Sequence, residues 1–173
     1  MKGLNMPISM YQASVPQFKK MLLNLSAILK KAEEYADSNK IDPTALLGAR
    51  LFPNMFNLIK QVQIACDQAK NGCSRLAGIE PIKFVDDEVS FSDLQHRITK
   101  TIQFLDTLKA DQIDNSEDRE INFSIREYQF NFKGQQFLLS WVIPNFYFHL
   151  TTAYDLLRHN GLDVGKSDYL GPK

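Results

Sequence analysis

The stretch 55–76, "MFNLIKQVQIACDQAKNGCSRL", settles the fold class. Within it Met55, Ile59, Val62, Cys66, Ala69, Cys73 and Leu76 step alternately by four and three. An α-helix turns once in about 3.6 residues, so this spacing puts all of them on one stripe. Such a stripe is the seam of a helical bundle. Gly78 follows as a natural stop, because glycine reaches left-handed backbone geometry without penalty.

The same reading extends in both directions. Upstream, Phe18, Leu22, Leu25, Leu29, Ala32 and Ala36 mark a helix from about Pro16 to Ser38. Residues 40–44 break it, with Asp42 as N-cap and Pro43 opening a short helix. Downstream, "IEPIKFVDDEV" (79–89) is a connection. A third long helix starts near Ser90 or Ser92, with Phe91, Leu94, Ile98, Leu105 and Leu108 on its stripe and Thr101 or Ile102 at the missing step. At "EINFSIREYQFNF" (120–132) the period changes to two: Ile121, Phe123 and Ile125, then Tyr128, Phe130 and Phe132, alternate with polar residues. That predicts a hairpin turning at Arg126–Glu127 and laying an aromatic face on the bundle. A last helix follows from about Gln135 to Asn160. Pro144 inside it lacks a backbone donor and predicts a kink or a restart. The tail "LDVGKSDYLGPK" (162–173) reads as irregular. The expected architecture is an all-α, antiparallel four-helix bundle with a small β-hairpin before the last helix, one domain over residues 1–173.

Composition narrows the function classes. Lys plus Arg and Asp plus Glu both number 20, so no net charge draws the chain to nucleic acid or an anionic membrane. The most apolar run, "FLLSWVIPNFYFHL" (137–150), is too short and too interrupted to span a bilayer. The first ten residues lack signal-peptide character, and a cytoplasmic location is expected. Cys66 and Cys73 lie about 10 Å apart along one helix, too far for a disulfide, and read as buried free thiols. "VGKS" (164–167) lacks the upstream glycine and the preceding strand of a phosphate-binding loop.

The three histidines invite a metal site. His96 lies about 200° around the helix from both Leu94 and Ile98, and points away from the seam. His149 and His159 are separated by about 15 Å along one helix axis. Metal–nitrogen bonds of roughly 2.0–2.1 Å cannot bridge that span. His159 sits in the last turn, where a cation complements the helix dipole. His149 lies on or beside the buried face and reads either as a hydrogen-bonded core residue or as part of a site. Asn145, one turn earlier, is a natural partner for its ring. Gln61 and Gln63 are polar residues within the seam helix. No nucleophile–base pair and no paired carboxylates stand out.

Three segments carry a resemblance: "ISMYQASVPQFKKMLLNLSAILKKAE" (8–33), "LFPNMFNLIKQVQIACDQAK" (51–70) and "PNFYFHLTTAYDLLRHNG" (144–161). They resemble a small bacterial family of unknown function in the DinB/YfiT-like superfamily. The resemblance runs from about Ile8 to Gly171. It implies a four-helix bundle. Better-known members of the superfamily are metal-dependent enzymes acting with low-molecular-weight thiols, such as bacillithiol transferases and mycothiol-dependent isomerases. They hold a divalent metal with three histidines, one from the second helix and two from a His-x-x-x-His motif before an "LLRxxG"-like ending. Aligned on "LLRHNG", His149 takes the place of the second histidine of that motif and Asn145 the first. Gln63 is the equivalent of the third, with Gln61 the second choice. The implied cofactor is zinc, nickel or manganese, in a degenerate site, since neutral amides replace imidazole poorly. Two functions stay open: a thiol-transferase- or isomerase-like enzyme with His149 as ligand or general base, or a metal-free bundle that binds a small molecule or a protein. A purely structural homodimer is a third.

Overall fold

A computed structural model describes residues 8–172. Four long helical stretches dominate it. They are α1 (Val15–Asn39), α3 (Leu58–Ala77), α4 (Phe91–Thr107) and a composite last helix. The last helix runs as α6 (Gly134–Phe137), a π-helical turn (Leu138–Val142) and α7 (Ile143–His159). Short helices α2 (Pro43–Leu47), α5 (Ala110–Ile113) and α8 (Lys166–Leu170) join them, with strands β1 (Glu120–Ile125) and β2 (Tyr128–Lys133). No described helix is long and apolar enough to cross a membrane.

Local chemistry sets the helix ends. The Asp42 carboxylate accepts from the Thr44 amide at 2.9 Å, ahead of Pro43 in the first turn of α2. Asn57 caps α3 by accepting from the Lys60 amide at 3.1 Å, so Met55 lies in the segment before the helix rather than in it. Ser90 and Asp93 form a reciprocal capping box that fixes the start of α4. Gly78 ends α3 at φ 71°.

The α3 stripe forms the centre of the core. Val62, Cys66, Ala69, Cys73 and Leu76 are wholly buried, while Ile59 is half-buried. This helix packs chiefly against α7 and α4, and α1 packs against α4. A Cβ on Gly72 would lie 2.5 Å from Val142 Cγ1, so α3 meets the π-helical turn closer than any side chain permits. On α4 the missing step is Thr101, which is buried; its hydroxyl donates to the Arg97 carbonyl at 2.9 Å. Ile102 is only half-buried.

The proline effect takes the form of the π-helical turn. Pro144 cannot donate back to the chain, and its ring crowds the preceding turn. The helix widens over Leu138–Val142 and resumes α-geometry at Ile143. Strands β1 and β2 pair antiparallel from Glu120↔Lys133 to Ile125↔Tyr128, leaving Arg126–Glu127 as the turn. Arg126 supplies the positive φ of 53° that glycine or asparagine would usually provide. One face of the hairpin sets Phe123, Phe130 and Phe132 around Trp141, with ring centroids 5.6, 4.6 and 5.9 Å away.

The tail is not irregular. Its helix α8 docks on α1: Asn24 Nδ2 donates to the Tyr169 carbonyl at 3.0 Å, and Lys31 Nζ pairs with Asp168 at 2.6 Å. Asp168 also accepts from the Gly165 amide at 2.8 Å. A five-residue helix is too short to persist on propensity alone, so these tertiary contacts order it and periodicity cannot announce it.

Candidate functional site

Helix α7 carries Asn145 and His149, and α3 carries Gln61 and Gln63. Only two of the four meet. His149 Nδ1 lies 2.7 Å from Gln61 Oε1, buried between the helices. Gln61, second choice on sequence grounds, is the partner. Gln63 is not: its Nε2 donates to Glu88 Oε2 at 2.7 Å on the opposite side of α3. Residues two apart on a helix diverge by about 200°, so both glutamines cannot face α7. Asn145 does not reach the His149 ring either. Its Nδ2 donates to the Trp141 carbonyl at 2.7 Å, one turn back along its own helix.

The pair has a defined polarity. Gln61 Nε2 donates to the Phe56 carbonyl at 3.1 Å, which turns its Oε1 toward the imidazole. An amide oxygen only accepts, so His149 Nδ1 must carry the proton. Burial pushes the His149 pKa down from 6.5 to about 4, so the ring is neutral at pH 7 and its Nε2 is a bare lone pair. That nitrogen has no hydrogen-bond partner among the described residues. Only Arg97 Nε and Ser116 Oγ are both enclosed and unpartnered among them, so Nε2 keeps a small opening. A ring fixed through Nδ1–H with Nε2 free is how proteins present a histidine as ligand or base.

A groove of about 510 Å³ lies between α7 and the segment before α3, on the neighbouring face of α7, and His149 is not part of its wall. Leu51, Met55, Tyr147, Phe148, Thr152 and Asp155 are among its walls. Thr152, on the groove wall, and His149 are three residues apart on α7, about 60° around the helix, and the imidazole is turned past the groove toward Gln61 on α3. The Phe148 and His149 rings meet edge to face with centroids 5.2 Å apart. Phe148, on the groove wall, is 56% accessible, and Phe52 and Phe56, each next in sequence to a wall residue, are 61% and 50% accessible.

Other candidates fall away. His96 and His159 are exposed, as their helix positions require. Burial pushes the Cys66 and Cys73 thiols up to about 12, so neither is a thiolate nucleophile at neutral pH. As metal ligands, the site residues fall short of a three-histidine set. Gln61 Oε1 is engaged by His149, Gln63 by Glu88, and the Asn145 side chain is turned back to Trp141. Among the described residues, no group of three or more His, Cys, Asp or Glu is placed to hold an ion. One imidazole nitrogen is what remains, and the donors present do not fit the implied zinc, nickel or manganese site.

The largest polar feature was not legible as a site. Arg97 is wholly buried between α3, α4 and the 79–89 segment. Its Nη2 sits 3.0 Å from both Asp67 and Asp86, and Nη1 donates to Glu88 at 2.8 Å and to the Val85 carbonyl at 3.1 Å. Lys70, also buried, reaches the Ile82 carbonyl and Asn71 Oδ1. Spacing held the clue. Arg97 lies three after Leu94 and four before Thr101, and Lys70 four after Cys66 and three before Cys73, so both fall on apolar stripes.

The comparisons agree with this architecture. A family model described as "Domain of unknown function (DUF1993)" matches residues 10–170, and the chain belongs to that family. A crystal structure described as a DinB family member protein from Shewanella denitrificans is similar at a TM-score of 0.89. It shares 44% identity, covering 94% of this chain and 92% of its own. The chain is thus a DinB-like protein of a domain-of-unknown-function family. No curated protein matches it.

Proposed function

We propose that this protein is a small-molecule-binding DinB-like bundle that works without a metal, using the groove beside α7, with the Gln61–His149 pair buried on the adjoining face of the same helix. The four long helices are read as the antiparallel four-helix core of that superfamily, adapted to binding. One observation carries the reading: Gln61, the second-choice ligand equivalent, is spent on the histidine, while the first choice, Gln63, is spent on Glu88. Gln61 Oε1 holds His149 Nδ1 at 2.7 Å, and Gln61 Nε2 is itself held by the Phe56 carbonyl. The pair is thereby a fixed neutral acceptor. Mostly apolar walls with a few placed polar groups are the usual make-up of a small-molecule site.

The groove can be tested directly. Met55 lines it, so a ¹³C-methyl-methionine sample reports on it by NMR. Millimolar benzyl alcohol is expected to shift the Met55 methyl signal saturably, and Phe148→Ala to weaken that binding several-fold. Phe148 is exposed, so its loss leaves the core intact. A Met55 signal unmoved by neutral, cationic and anionic aromatic probes alike would remove the reading.

A further inference from the structure

We infer that the groove selects an organic primary ammonium carried on an aromatic or apolar body, an inference that rests on the groove reading above. Among the described residues, the groove wall holds one charged side chain, the Asp155 carboxylate, and no lysine, arginine or histidine; Arg50, next to the wall residue Leu51, has its Nη1 occupied by the Met55 carbonyl. Arg158, one turn further along α7, is turned to Asp163 at 3.2 Å.

The remaining polar atoms point the same way. Thr152 Oγ1 already donates to the Phe148 carbonyl at 2.7 Å, so toward a ligand it offers lone pairs. Thr151 Oγ1 and the Tyr169 hydroxyl satisfy each other at 2.8 Å. Apart from the Tyr147 phenol, which can donate or accept, the groove is rich in acceptors and poor in donors. A carboxylate ligand would meet Asp155 and lone pairs. An ammonium brings three donors and a positive charge, and the faces of Tyr147 and Phe148 favour a cation as well.

The test uses the whole chain, the Met55 methyl signal and three probes of equal size: benzylamine, benzyl alcohol and benzoate, at pH 7.5 and constant ionic strength. Benzylamine is expected to bind at least tenfold more tightly than benzyl alcohol, and benzoate more weakly than either. Asp155→Asn, at an exposed position, is expected to bring benzylamine to within about threefold of benzyl alcohol and to leave benzyl alcohol unchanged. If benzyl alcohol or benzoate binds as tightly as benzylamine, or if the preference survives Asp155→Asn, the ammonium assignment is overturned while the groove stands. If none of the three moves Met55, the groove reading and this assignment fall together.

Discussion

Replacing Arg97 with methionine lowers the stability of the fold by about 3–5 kcal/mol, the usual cost of removing one partner from a buried ionic group. The reason is what remains. Glu88 is almost wholly enclosed, with 8% of its side chain accessible, and would lose the guanidinium that holds it at 2.8 Å, keeping only the Gln63 amide at 2.7 Å. Asp67 and Asp86 would lose the same partner, though both reach solvent. The whole 79–89 segment is tied down here, because Val85, Asp86 and Glu88 all bind Arg97 and Ile82 binds Lys70. Against a typical total of about 5–15 kcal/mol, the loss is a large fraction. Urea denaturation at pH 7 measures it. Adding Glu88→Gln to Arg97→Met is expected to recover part of the loss by removing the stranded charge. A loss under about 1 kcal/mol, or no recovery, would mean the cluster is not a closed ionic network.

Acid is expected to destabilise the fold through His149, by on the order of 3 kcal/mol between pH 6.5 and pH 4. The direction follows from burial. His149 titrates near 6.5 in the unfolded chain and at about 4 in the fold. Above pH 6.5 neither state binds the proton and the contribution is fully present. Between the two values the unfolded chain takes up a proton that the folded ring refuses, and stability falls with each step down in pH. Gln61 accepts from Nδ1–H in both charge states of the ring, so it does not offset this. Carboxylates also titrate in this window, so the readout is a difference: urea midpoints for the wild type and His149→Gln at several pH values. The two curves are expected to converge or cross as the pH falls from 7 to 4. A constant gap would show that the imidazole titrates alike in both states.

The period of the apolar residues made the helices legible, because burial of one face is what organises them. The Met55–Leu76 stripe located α3, and the switch to alternation at Ile121–Phe132 located the hairpin. Helix α8 was not legible, since its order comes from Asn24 and Lys31, more than a hundred residues away. At the candidate site, the isolation of His149 from His96 and His159 followed from helix geometry alone. Its partner did not. Gln61 and Gln63 differ by half a helical turn, and which faces α7 depends on how α3 sits between α4 and α7. In the fold Leu58, Gln61, Ala65 and Ala69 are all buried, a second stripe that the Met55–Leu76 seam leaves unmarked, whereas the ligand analogy favoured Gln63. Arg97 and Lys70 were hidden for a related reason. Long basic side chains are ordinarily read as solvated, and only partners distant in sequence make their burial tolerable.

In the proposed reading, Gln61 fixes His149 as a neutral, Nδ1-protonated ring that holds no metal. Imidazole ¹⁵N NMR of the labelled protein at pH 7, before and after one equivalent of zinc, tests it most directly. A protonated Nδ1 and a bare Nε2, both unmoved by zinc, are expected for His149. A proton on Nε2, a charged ring, or a stoichiometric zinc shift at Nε2 that disappears in His149→Gln would contradict it.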